Sequence, residues 1–230
     1  LILAGTLGLL PSSTGGGGVG AMPTEQTKVQ SSVFSLTDSS TTTGLSDCQG
    51  WVWATEGGVQ YQVGELPGGM MRGGVYIGGS EFFDLSGRFT FERGQGIVPP
   101  ENSDTWIAYW SGWQYLYTAE KPGKLIDVTD GRPDLEGFGL FWRTSQADDD
   151  VNPLQWTVSG GIGGRGMIPG RKRDAYGVGY YYNRAQSTRL TERVGLSDST
   201  QGFECFYSIE VTPAAHLTLG AQWVDSAARQ

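Results

Sequence analysis

Residues 203 to 224 alternate between apolar and polar side chains, and this alternation constrains the fold more than any other feature of the chain. One set of alternate positions is apolar: Phe203, Cys205, Tyr207, Ile209 and Val211, then Leu217, Leu219, Ala221 and Trp223. The positions between them are mainly polar, and include Glu204, Ser208, Glu210, His216 and Gln222. Because successive side chains of a strand point to opposite faces, the segment predicts a hairpin whose two faces meet different solvents.

The same period of two recurs along the chain, in segments about as long as a tilted strand that crosses a bilayer, ~9–11 residues. The clearest segments are 51–63, 135–145, 154–164 and 174–183, and looser matches are 28–36 and 71–79. Residues 104–118 are apolar at both sets of positions, so the alternation leaves their facing open. The pattern therefore predicts about ten antiparallel strands and indicates no helix.

Composition favours a sheet in a membrane over a sheet in a soluble domain. Charged residues are 17% of the chain against a usual ~25%, yet mean hydropathy is only −0.28. A lipid-facing row and a water-facing row cancel in such an average, and no segment reaches the ~20 apolar residues of a transmembrane helix. The alternative from another class, a soluble β-sandwich carbohydrate-binding module, is weakened by aromatic residues near the predicted strand ends. They are Trp51, Trp53, Tyr61, Trp106, Tyr117, Trp142, Trp156, Tyr182, Phe203 and Trp223.

Connections alternate between short turns and long polar loops, as in outer-membrane barrels. The predicted turns are 23–26, 66–69 and 213–215, and the predicted loops are 37–50, 81–104 and 184–201. Two connections depart from the rule, since 119–134 is long and 146–153 is short. The strand-like run 85–92 within one loop is a candidate constriction that folds inward. The apolar residues 1–10 fit either a strand or a leader.

The cost of a charge that faces lipid, ~2–4 kcal/mol near the midplane, predicts which charged side chains point into a water-filled lumen. We expect Glu56, Arg72, Arg143, Glu204 and Glu210 to do so. Parity adds three residues to the same polar face, namely Arg165, Gln155 and Tyr181. Carboxylates, guanidinium groups and aromatic rings together suit polyhydroxylated ligands. A pore lining of mixed charge with no ligand site explains any single one of these residues equally well.

No motif indicates catalysis, a cofactor or a metal site. Two matches to G-x-G-x-x-G, at 15–20 and 161–166, lack the helix that a dinucleotide site needs. The single histidine, His216, excludes sites built from several histidines, and the acids at 148–150 lack EF-hand spacing. We expect a solvated loop there, with Ca²⁺ shared with lipopolysaccharide as the alternative. The net charge of −8, with no basic stripe, argues against nucleic acid.

Several segments together resemble the OprB-type carbohydrate-selective porins of the outer membrane. The most specific is Gly163-Gly164-Arg165-Gly166-Met167-Ile168-Pro169-Gly170-Arg171, followed by Asp174 and Gly177-Val178-Gly179-Tyr180. The runs 112–116 and 134–141, the turn 23–26 and the hairpin 201–224 are similar to the same family. The resemblance extends from about residue 15 to residue 225 and keeps the order of the segments.

The resemblance implies an up-and-down transmembrane β-barrel of sixteen strands in the bacterial outer membrane, in which sugars diffuse passively. It further implies a homotrimer in contact with outer-membrane lipid and lipopolysaccharide, and no enzymatic activity. With about ten strands, residues 1–230 are then one porin barrel domain truncated at both ends. The turns at 23–26, 66–69, 167–174 and 213–215 would be periplasmic. A general, non-selective porin is the nearest alternative function.

Overall fold

The structure, a computed structural model, describes residues 15–36, 49–87, 89–93, 96–119, 135–185 and 198–225. These residues form twelve strands: β1 (Gly16–Thr24), β2 (Thr27–Leu36), β3 (Gly50–Val63), β4 (Leu66–Phe83), β5 (Thr90–Glu92), β6 (Gly96–Val98), β7 (Glu101–Thr118), β8 (Gly137–Ala147), β9 (Leu154–Arg165), β10 (Ala175–Ala185), β11 (Ser199–Thr212) and β12 (Ala215–Asp225). Among the described residues, none belongs to a helix long and apolar enough to cross a membrane. The predicted all-β class is confirmed.

Ten of the strands form one antiparallel sheet in the order β1-β2-β3-β4-β7-β8-β9-β10-β11-β12. Each of the ten strands pairs with the next of the ten along the chain, and β5 and β6 form a small separate hairpin within the connection from β4 to β7. This is the up-and-down order predicted from the sequence, whereas a β-sandwich would need two packed sheets. β1 and β12 are the two edges, so the strands that the structure describes do not by themselves close the sheet.

Short turns and long connections alternate as expected, with one correction. The turns at Glu25–Gln26 and Pro213–Ala214 lie where they were predicted. The turn predicted at 66–69 instead falls at Gly64–Glu65, because Gly64 adopts a φ of 65° that favours glycine and β4 begins at Leu66. The short connection between β8 and β9 is confirmed at 148–153. Residues 1–10 and most of the predicted connections 37–50, 119–134 and 184–201 lie outside the described residues.

Cross-strand register divides the side chains of the sheet into two faces. We call the face that carries Glu56 the inner face and the opposite one the outer face. Directly paired residues share a face, so the pairs Trp53–Tyr76 and Tyr76–Trp106 place three rings in one outer row near the long connections. Near the short turns, a second outer row joins residues through consecutive pairs: Tyr117, Phe138, Gly164, Tyr176 and Tyr207. The outer face therefore carries aromatic rings at both ends, as a membrane-facing wall requires.

The sheet curves so that the inner face is concave. A cavity of about 490 Å³ is lined chiefly by inner-face residues of six consecutive strands, from Lys28 on β2 to Ser159 on β9. Neighbouring strands lie ~4.8 Å apart, so residues five strands apart line one cavity only if the sheet bends around it. The concave side is therefore the one that carries the polar row.

Asp174 holds the turn between β9 and β10 against β11. Its Oδ2 accepts hydrogen bonds from Arg171 Nε and from the Tyr207 hydroxyl, each at 2.7 Å. Its Oδ1 accepts the backbone N–H of Glu210 at 3.0 Å. The carboxylate is buried, and the Tyr207 hydroxyl, followed by Arg171, lowers its pKa below the usual range. The charged form of Asp174 therefore stabilises this end of the sheet.

We expect the stability of the full-length protein to fall in acid through Asp174. Because the pKa is lowered by folding, the stabilisation is complete above the unfolded pKa, ~3.9, and is lost as pH falls through the folded value. Asp174→Asn should lower the temperature of heat-dependent gel migration at pH 7 and flatten its dependence on pH below about 4. An acid dependence identical to that of the unsubstituted protein would contradict this role.

Candidate functional site

Two adjacent rows of directly paired residues cross the inner face. The first, here the cation row, runs from strand to strand as Lys28, Gly58, Met71, Ser111, Arg143, Ser159 and Tyr181. The second, here the aromatic row, runs as Gln60, Gly69, Trp113, Phe141, Gly161, Gly179, Glu204 and Gln222. Both rows contribute to the 490 Å³ cavity, which makes this stretch of wall the candidate site.

Within the aromatic row, Trp113 and Phe141 are direct cross-strand neighbours, and both line the cavity. The buried Tyr115 meets Trp113 edge-on, with ring centroids 5.9 Å apart and planes at 84°. Such edge-to-face contacts are favourable and fix the orientation of a ring. The cavity thus has two neighbouring aromatic rings on one side, and Lys28, Gln60 and Arg143 supply polar atoms around them.

Glu56 lies beside the cavity, in a row next to the cation row. Both oxygens of its carboxylate already accept hydrogen bonds from other side chains of the protein. The Tyr109 hydroxyl donates to Oε2 at 2.6 Å, and Gln30 Nε2 donates to Oε1 at 3.2 Å. Lys28 Nζ lies 3.5 Å from Oε1. The Lys28–Glu56 pair is close to neutral, so Arg143 supplies the unbalanced charge of the cavity lining.

Six of the eight side chains predicted to face the lumen lie on the inner face. They are Glu56, Arg143, Arg165, Glu204, Glu210 and Tyr181. Arg143 and Glu204 are exposed and have no ion-pair partner among the described residues. Glu210 accepts from Arg173 Nη1 at 2.8 Å near the turn, which removes it from the open wall. Their contact with a sugar stays a prediction.

Arg72 does not share the inner face, and the predicted direction of its side chain is wrong. It pairs directly with Gly57 on β3 and with Trp110 on β7, both on the outer face. The alternation of residues 71–79 is loose because glycines occupy both faces of β4, so only the register could decide it. Gln155 lies where the β9–β10 register shifts, so no directly paired residue fixes its direction.

Sequence reasoning missed the two rings and the lysine that define the cavity. Trp113 lies in the segment whose facing was open, and its pairs with Gly69 and Phe141 now place it on the inner face. Lys28 belongs to no motif, and Phe141 ends the run 134–141, which resembles the family without marking a site. The only available signal was parity: Phe141 is two residues from Arg143, so it shares the predicted lumen face.

The acidic cluster at 148–150 lies in the connection between β8 and β9. Its three carboxylates have oxygens within 4.8 Å of one another. Burial, followed by the neighbouring acids, raises the pKa of Asp148. Nothing beyond these acids indicates a ligand, and a calcium ion shared with lipopolysaccharide stays a prediction.

Comparisons with known proteins identify the family. The model of the carbohydrate-selective porin family, OprB, matches residues 6–230. The chain belongs to the OprB family. A solved structure of Pseudomonas putida OprB at high pH superposes with a TM-score of 0.72 and 17% identity. The match covers 92% of this chain and 54% of that one, so this chain spans about half its length. The comparison with curated protein sequences gives no match.

Membership of the OprB family indicates which face of the sheet meets the membrane and which meets the lumen. A porin wall has one face toward membrane and one toward a water-filled lumen, and the concave inner face with its two rows corresponds to the lumen. The family is one of channels, and the inner face offers side chains for contact with a solute. The resemblance seen in the sequence and the barrel-type fold are both confirmed.

We expect Arg143→Ala to shift ion selectivity toward cations and Arg72→Ala to leave it unchanged, although both remove one positive charge. Arg143 faces the lumen and contributes to the potential that permeating ions experience, while Arg72 lies on the other side of the wall. The measurement is the reversal potential of the full-length protein in planar bilayers under a salt gradient. Equal shifts for the two variants would contradict the assigned faces.

Proposed function

We propose that the protein is an outer-membrane porin through which small carbohydrates diffuse passively. The observation that carries the proposal is the cavity on the inner face, where two aromatic rings adjoin cationic and amide side chains. Aromatic rings pack against the C–H faces of sugars, while Lys28 and Arg143 offer hydrogen-bond donors to hydroxyl groups. The membership of a carbohydrate-selective family supports the same reading.

The site holds and guides a solute and performs no chemistry. Its charged groups, Lys28, Glu56 and Arg143, are ordered by hydrogen bonds or exposed to the lumen. Passive diffusion requires contacts that are weak enough to release the sugar, and a shallow open wall supplies such contacts. In this arrangement the short turns face the periplasm and the long connections face outside, beside lipopolysaccharide.

Sugar selectivity separates this proposal from a general porin. Liposomes that contain the full-length protein should swell faster in glucose than in zwitterionic amino acids of similar size, because only the sugar gains the ring contacts. Replacing both rings, as in Trp113→Ala with Phe141→Ala, should remove the difference while swelling persists. Equal swelling rates for the unsubstituted protein would favour a general porin, and no swelling at all would exclude a porin.

We also propose that a second copy of the barrel covers the outer face around Arg72, as part of a homotrimer. Arg72 is the seventh residue of the 18-residue strand β4. With a rise of ~3.3 Å per residue and a strand tilt of ~45°, it lies ~14 Å above the turn. It is therefore deep in the apolar band that faces the membrane, which is ~25 Å tall. It is exposed and has no hydrogen-bond or ion-pair partner among the described residues. A guanidinium that faces hydrocarbon at this depth is destabilising by ~2–4 kcal/mol.

The surroundings of Arg72 suit a protein neighbour better than lipid. Besides its direct partner Trp110, small residues flank it on three strands: Gly57, Gly74, Ala108 and Gly112. Nearby, Trp53 Nε1 donates to Ser31 Oγ at 2.8 Å, and Ser31 Oγ lies 3.1 Å from Thr55 Oγ1. Small and hydroxyl-bearing residues let backbones approach and hydrogen-bond within a membrane. A second copy of the barrel has an apolar band of the same height.

Arg72→Leu should weaken the trimer and stabilise the separate barrel. The substitution removes the donors that cross the interface, and it also removes the charge that lipid would otherwise meet. In gels of the full-length protein, the oligomer should dissociate at a lower temperature, while the folded monomer persists to a higher one. Arg143→Ala is the matched control and should change neither temperature. An unchanged oligomer in Arg72→Leu would argue for lipid around this face.

A further inference from the structure

Several aromatic rings of the inner face lie over a glycine of the neighbouring strand. Five directly paired couples show this: Trp113 over Gly69, Tyr109 over Gly73, Phe141 over Gly161, Phe206 over Gly177 and Tyr181 over Gly202. A Cβ added to Gly69 would lie 2.8 Å from the Trp113 ring, and one added to Gly177 would lie 2.6 Å from the Phe206 ring. Real Cβ atoms do not approach so closely, so a larger residue would lift the ring off the wall.

A ring that lies on the wall turns its other face to the lumen. Trp113 is half-buried, consistent with one face on Gly69 and the other open to the cavity. Tyr115 supports its edge, and Phe141 lies beside it as its direct neighbour on β8. Two adjacent rings thus present flat surfaces in one row, within reach of a solute that follows the wall.

We propose that Trp113, seated on Gly69 and continued by Phe141, is a stacking subsite that favours cyclic sugars over open-chain polyols of equal size. The inference rests on the proposed function and names the residues that set its specificity. A pyranose ring offers a flat face of C–H groups to an aromatic ring, and its equatorial hydroxyls point outward from that face. An open-chain polyol has the same hydroxyl groups but no flat face to place on Trp113.

The neighbouring polar groups fit the edge of such a sugar. Lys28 and Arg143 belong to the row next to Trp113, and Gln60 lies in the same row as Trp113, beyond Gly69. These side chains surround the rings and line the same cavity. Lys28 and Arg143 donate to hydroxyls of either solute, so the rings alone provide the discrimination. Gly69 acts as a positioning residue because it keeps the Trp113 ring flat.

The test compares glucose with sorbitol as blockers of ion conductance through the full-length protein in planar bilayers. Trp113→Leu should raise the half-blocking concentration of glucose by roughly three- to tenfold, the value of one aromatic contact, and leave that of sorbitol unchanged. Trp113→Phe should retain most of the preference. Gly69→Ala should act in the direction of Trp113→Leu, since the atoms nearest its added Cβ are all in the Trp113 ring.

Two glycines serve as controls for Gly69→Ala. The Cβ added in Gly177→Ala would contact the Phe206 ring, which does not line the cavity. The Cβ added in Gly220→Ala would lie no closer than 3.7 Å to any atom. Neither should change the ratio of glucose to sorbitol block. An unchanged ratio in Trp113→Leu, in protein that still admits glucose, would overturn the subsite but leave the porin function standing. Failure of the unsubstituted protein to admit any sugar would instead overturn the function on which the subsite rests.

Discussion

Backbone hydrogen bonding in a membrane is the constraint on which the rest of this structure depends. Lipid offers no partner for N–H and C=O groups, so the strands must satisfy one another through an extended sheet. The ten strands do so with each neighbour along the chain. Such a sheet has two faces, and every residue must suit either the membrane or the lumen. The low charge content, the outer aromatic rows and the polar inner rows all follow from that division.

The cross-strand register brings residues that are distant in the sequence together in the candidate site. Lys28 and Tyr181 are far apart in the sequence, yet a continuous chain of direct pairs connects them across seven strands. The aromatic row runs beside that chain of pairs and ends in Glu204 and Gln222. The cationic side chains thus lie on one part of the wall and the free carboxylate on another. Aromatic rings and hydrogen-bond donors therefore adjoin one another on the inner face.

The sequence alone predicted the face of a residue wherever its own strand alternates clearly. The face of Phe203–Val224 was assigned correctly because most apolar side chains on one face alternate with polar ones on the other. The prediction from sequence was wrong for Arg72, because glycines on both faces of β4 remove the alternation. The lipid penalty also misled it, since that argument assumes that lipid is the only neighbour of the outer face. It left Trp113 open because both faces of β7 are apolar. The facing of Arg72 and Trp113 is fixed by pairing with other strands, and the periodicity of a single strand carries no information about that pairing.

The high glycine content, 37 of 230 residues, has a physical explanation in the same register. Large rings pair with glycines across strands on the outer face as well, since Trp142 lies over Gly112 and Tyr61 over Gly68. A ring beside a larger residue would stand away from the sheet, whereas a ring over glycine lies along it. On the outer face this keeps rings close to the wall of the barrel. On the inner face it keeps the lumen wide while leaving aromatic surface exposed, so width and stacking are compatible in one pore.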